Sequence, residues 1–107
     1  MPPVSPAEQA LRQAEAAERG GDLDSAFSGY RRAATLNQPG AAARADAVRK
    51  KLVAQHSAAA RGALARQDLD GSIQLWERVL AVDPGNDTAR FERQRAIALR
   101  EKVRTLK

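Results

Sequence analysis

From Ser5 onward the apolar residues recur at helical spacing, and no stretch alternates as a half-buried strand would. Ser5 is an N-cap, followed by Pro6 at a first-turn position where a missing N–H leaves nothing unpaired. Leu11, Ala14 and Ala17 then form a narrow apolar stripe, and Gly20-Gly21 ends the helix. Asp22 caps a second helix, with Phe27, Tyr30 and Ala34 on one face, and Asn37-Gln38-Pro39-Gly40 stops it. Residues 41–66 hold no proline and a single glycine, Gly62, so they form one helix of about seven turns. Asp68 caps a fourth helix. Its Ile73, Trp76, Val79 and Leu80 make the strongest amphipathic stripe of the chain, and Asp83-Pro84-Gly85-Asn86 breaks it. A last helix covers about 87–105 and carries Phe91, Ile97 and Leu99 among arginines, with Phe91 expected in the core. The pattern predicts an all-α chain of five helices without strands, its short connections making antiparallel hairpins.

Part of the pattern is written twice. Residues 22–33 read DLDSAFSGYRRA and residues 68–79 read DLDGSIQLWERV, each position 46 from its counterpart without a gap. Leu23 matches Leu69, Phe27 matches Ile73, Tyr30 matches Trp76 and Ala33 matches Val79. A repeated helical pattern points to stacked hairpins, each burying its apolar face against a neighbour.

Residues 53–86 span a helix, a tight turn, a second helix and a terminal Asp-Pro, with Ala60, Ser72, Trp76 and Pro84 at the eighth, twentieth, twenty-fourth and thirty-second positions. This segment resembles the tetratricopeptide repeat. Small residues at the eighth and twentieth positions let two helices approach, and the aromatic plugs the space between them. Residues 7–40 resemble a weaker copy with Ala14, Ala26 and Tyr30 in those places and the proline one position late, as Pro39. The spacing of 46 departs from the family's 34. The extra residues, 41–52, are expected to lengthen the start of the third helix into an overhang exposing Val48, Leu52 and Val53. Residues 87–107 resemble the helix that closes such arrays. The expected organisation is a lead-in at 1–4, then a single domain 5–107 made of repeat 7–40, helical extension 41–52, repeat 53–86 and closing helix 87–106.

The resemblance implies a non-enzymatic scaffold that holds a protein or peptide in a groove lined by the first helix of each repeat. The groove-facing positions would include Glu15, Glu18 and Arg19, then Arg61 and Leu64, then Thr88, Phe91 and Arg95. The family's charged clamp for chaperone tails is not matched. Leu11, Glu15 and Ala58 stand where it wants lysine and asparagines, and Thr88 and Glu92 replace its later lysine and arginine. The alanine- and arginine-rich usage and the segment DLDGSIQLWERVLAVDPGNDTAR resemble helical tails of bacterial multidomain proteins, cell-envelope proteins among them. That implies a bacterial source and a place in a larger protein or complex.

Composition narrows the chemistry further. Of the 43% hydrophobic residues, 23 are alanines, which form helix readily and bury little surface, so a thin core between close helices is expected. The absence of cysteine excludes disulfides and thiolate metal sites. His56 stands alone, so no metal, cofactor or catalytic role is read for it. The acidic pairs Asp22/Asp24 and Asp68/Asp70 open helices, where capping explains them. No apolar run reaches the ~20 residues of a membrane span, and MPPVSPAEQ lacks the basic start and apolar core of a signal peptide.

The net charge of +5 gathers toward the C-terminus, where residues 87–107 carry seven basic and three acidic side chains. The alternative function is therefore binding of an anionic polymer or membrane surface through the last helix. Glu92 and Glu101 interrupt that face, which disfavours nucleic acid. A homodimer through the overhang is a further outcome the sequence leaves open.

Overall fold

The structure, a computed structural model, describes residues 3–106. Met1 and Pro2 of the expected lead-in, and Lys107 of the basic C-terminal stretch, lie outside the described residues. Five helices follow one another, α1 (Pro6–Arg19), α2 (Leu23–Thr35), α3 (Ala41–Ala65), α4 (Leu69–Val82) and α5 (Asp87–Thr105), with no strand among the described residues. They pack sequentially as an antiparallel helical-repeat arrangement. The chain forms two compact units, Met1–Leu52 and Val53–Lys107, and the boundary falls inside α3.

Polar side chains fix where the helices begin. The first N–H groups of a helix have no intrahelical acceptor. Ser5 Oγ accepts from the Glu8 N–H at 3.1 Å, Asp22 Oδ1 from Ser25 at 3.1 Å, Asp68 Oδ1 from Gly71 at 2.9 Å and Asn86 Oδ1 from Ala89 at 2.9 Å. The ends of α1, α2 and α3 close alike. Gly21 (φ 84°), Asn37 (φ 67°) and Gln67 (φ 65°) turn left-handed, so that the N–H of Asp22, Gln38 and Asp68 reaches back to the carbonyl of Ala17, Ala33 and Ala63. Gly21 and Gln67 are 46 positions apart, so the repeat extends to the backbone of its turns.

Small residues set how closely the helices meet. A Cβ placed on Gly29 of α2 would lie 2.8 Å from Ala14 Cβ of α1, so glycine is required at this contact. In the second unit Ser72 of α4 is fully buried, and its hydroxyl donates to the Ala60 carbonyl of α3 at 2.9 Å. That bond satisfies a polar group that would otherwise be buried without a partner. The core of the second unit contains Ala60, Trp76, Val79 and Ala89, flanked by Val53, Leu75 and Leu80. In the first unit Ala10, Ala33 and Ala41 cluster against Leu11 and Ala34.

Two expectations fail. Val48 and Leu52 are 1% exposed, where an overhang would have left them open. The reason is periodic: Ala41, Ala45, Val48 and Leu52 lie at i, i+4, i+7 and i+11, and all are buried. Residues 41–52 thus have the buried stripe of a packed helix. Phe91 fails in the opposite direction. It is 61% exposed, because α5 buries Ala89 and Ala96, and Phe91 points away from them.

Candidate functional site

In the first unit the helices bring five polar side chains to one place. Tyr30 of α2 is fully buried, and its hydroxyl reaches Glu18 of α1, donating to its Oε1 at 2.6 Å. Lys51 of α3 donates to the other Glu18 oxygen at 3.2 Å. Arg44, two turns earlier on α3, bonds Glu15 at 3.0 Å, lies 3.6 Å from Glu18, and stacks its guanidinium 4.7 Å from the centre of the Tyr30 ring. The ring thereby has an apolar body in the core and a charged lid.

This arrangement shifts two groups. Burial, then the hydrogen bond to the Glu18 carboxylate, pushes the Tyr30 phenol from 10.0 up to about 12. The bonds from Tyr30 and Lys51 hold the Glu18 carboxyl below its ordinary 4.5. A phenol raised in the folded state stabilises the fold fully below pH 10 and loses that contribution as pH rises toward 12, a loss of up to roughly 3 kcal/mol. Glu18 acts at the other end: its contribution is present above 4.5 and falls away under acid. Because Tyr30 is the only tyrosine, tyrosinate absorbance reads it alone. A base titration is expected to give a midpoint well above 10, moving down but not fully back in Glu18→Gln, since burial remains. An ordinary tyrosine midpoint in the folded protein would contradict the buried ring.

The second unit repeats the scaffold with different chemistry. Trp76, 46 positions after Tyr30, is 1% exposed, and Arg61 stacks 5.5 Å from its ring centre. Leu64 stands where the first unit has Glu18. Leu64 and Gln67, Leu69 at the start of α4, and Leu99 and Val103 of α5 line an open groove of about 410 Å³. Leu99 and Val103 remain 39% and 46% exposed, and Leu106 beyond them 79%. Most basic residues of α5 are already engaged. Arg93 faces Glu77 at 3.6 Å, Arg95 pairs with Glu92, Arg100 with Asp70 and Arg104 with Glu101, and Arg90 donates to the Pro84 carbonyl. Arg100 Nε is buried without an acceptor.

The residues expected to face a groove fall in both units. Glu15 is half-buried in the network of the first unit, and Arg19 is exposed at the end of α1. In the second unit Arg61 covers Trp76, and Leu64 joins the apolar groove. Thr88 and Phe91 are exposed, with Arg95 stacked 5.8 Å from the Phe91 ring. Of the residues expected at repeat positions, Ala14, Ala26, Tyr30, Ala60, Ser72 and Trp76 are buried, and Pro84 is exposed in the turn after α4. Sequence reasoning missed Arg44 and Lys51 as partners of Glu15 and Glu18. Their spacing of seven, two turns on one helix face, was the available signal. It also missed Leu69 and Val103.

Among the described residues no helix is long and apolar enough to cross a membrane, and no group of three or more metal-binding side chains is assembled. No protein-family model, curated protein or solved structure matches the chain.

Proposed function

We propose that this chain is a non-enzymatic protein–protein interaction scaffold of tetratricopeptide type, serving a larger bacterial protein or complex. The observation that carries this reading is the open apolar groove on the second unit, lined by half-buried Leu64 and Leu69 and by exposed Leu99 and Val103. The core is poor in large side chains, and leaving several of them in water forgoes about 25 cal/mol for each Å² that could be buried. A partner that covers them recovers this energy. The family pattern of small and aromatic residues at 53–86 supports the same reading.

The alternative, a basic helix gripping an anionic polymer, is weakened by the four arginines of α5 already facing carboxylates. Such surface pairs are individually weak, but they lower the field a polyanion would meet. Binding to generic DNA is accordingly expected to vanish near physiological salt.

A photo-reactive residue at Leu99 tests the scaffold directly in native cells. It is expected to give discrete protein adducts that the same residue at Gln74, exposed on α4, does not give. The protein so identified, once purified, should bind the full chain and lose binding to Leu64→Asp. Identical adduct patterns at positions 99 and 74, or DNA binding that survives physiological salt, would overturn the proposal.

A further inference from the structure

The two units differ most where one has charge and the other has leucine. Buried positions of α3 and α5 align 48 residues apart, Ala41 with Ala89 and Val48 with Ala96. On that register Lys51 corresponds to Leu99, and Glu18 corresponds to Leu64 through the 46-residue repeat. In the first unit Glu18 and Lys51 bridge the two helices at 3.2 Å. In the second, two leucines take their places, and with Leu69 and Val103 they leave an apolar groove. A solvated ion pair has been exchanged for apolar surface that nothing in its own unit covers.

We propose that this groove docks an amphipathic helix of another protein whose apolar stripe is bordered by acidic residues. The proposal rests on the scaffold reading and names the chemistry of its partner. Leu99, Val103 and Leu106 fall at i, i+4 and i+7, a stripe that matches the anchor spacing of an incoming helix. Charge selects the occupant. Lys102 on α5 and Arg66 just after α3 take part in none of the ion pairs found among the described residues, so their charge stays open to a partner. The stretch 87–107 carries seven basic against three acidic residues. A second copy of the chain meeting this face through its own α5 would bring the same positive excess against it. An acidic border instead meets opposite charge, which raises the association rate and rejects basic competitors.

The test uses the full chain and three labelled synthetic peptides, read by fluorescence anisotropy. One carries leucines at i, i+3, i+4 and i+7 with glutamates on the flanks. A second keeps the leucines with lysine flanks, and a third keeps the glutamates with serines for the leucines. The first is expected to bind at least about tenfold more tightly than the others. Leu99→Asp should abolish its binding, and Lys102→Glu should weaken it several-fold, both with unchanged helical circular dichroism. Equal binding of the glutamate and lysine peptides would overturn the acidic partner while leaving an interaction surface. No binding by any of the three would overturn the surface as well. A dimer in sedimentation equilibrium that Leu99→Asp dissolves would assign the groove to a second copy. Binding to anionic vesicles through the same residues, without the peptide, would assign it to a membrane; either result overturns the proposal.

Discussion

Replacing Trp76 by alanine is expected to unfold the second unit and leave the first largely helical. The ring is 1% exposed and packs with Ala60, Val79 and Ala89. The facing Ala60 and Ala89 have no spare length with which to fill the space it would leave. Truncation of a buried tryptophan costs about 3–5 kcal/mol. A unit of this size has only roughly 3–8 kcal/mol at ~0.05–0.15 kcal/mol per residue. The loss therefore approaches the whole stability of the unit. Amide hydrogen exchange resolves it: α4 and α5 should lose protection, while α1 and α2 keep theirs. Wild-type protection in α4 would show that the ring does not hold the hairpin.

Tyr30→Ala is expected to do the same to the first unit, with a cost again of about 3–5 kcal/mol. The comparison with Tyr30→Phe separates the ring from its hydroxyl. Phenylalanine keeps the apolar body and removes only the bond to Glu18, a hydrogen bond to a charged group worth about 1.5–3 kcal/mol. Glu18 still keeps Lys51 and Arg44, so the observed cost should sit at the lower end. Denaturant midpoints of the two variants check this order. A phenylalanine variant as unstable as the alanine one would mean that the polar network, rather than the ring, holds α1 to α2.

The helices were legible because their punctuation is local. Ser5, Asp22, Asp68 and Asn86 cap within three residues of themselves, and Gly21 turns the chain without help from distant contacts. Tyr30 and Trp76 could be picked as core because each is the largest side chain on the apolar stripe of its helix. Phe91 misled for the same reason. On a helix as rich in alanine as α5, the buried face is made of Ala89 and Ala96, and a large aromatic can sit on the other side. Val48 and Leu52 were misplaced because a repeat of the familiar length leaves residues 41–52 as a surplus, whereas their own stripe shows a buried face. The groove was half visible. Leu64 was a candidate, but Leu69 had been read only as a repeat position, and Val103 lay among arginines. Their meeting depends on how α3, α4 and α5 pack, and no single segment records it.

The most direct measurement is of the one tryptophan in the chain. If an aromatic ring wedged between helices of small residues holds each unit, Trp76 in the folded protein must emit well to the blue of free indole in water. It must also resist quenching by acrylamide, and both properties must vanish together with helical circular dichroism in denaturant. Emission at the wavelength of solvated indole, or quenching as fast in the folded as in the unfolded chain, would contradict the account.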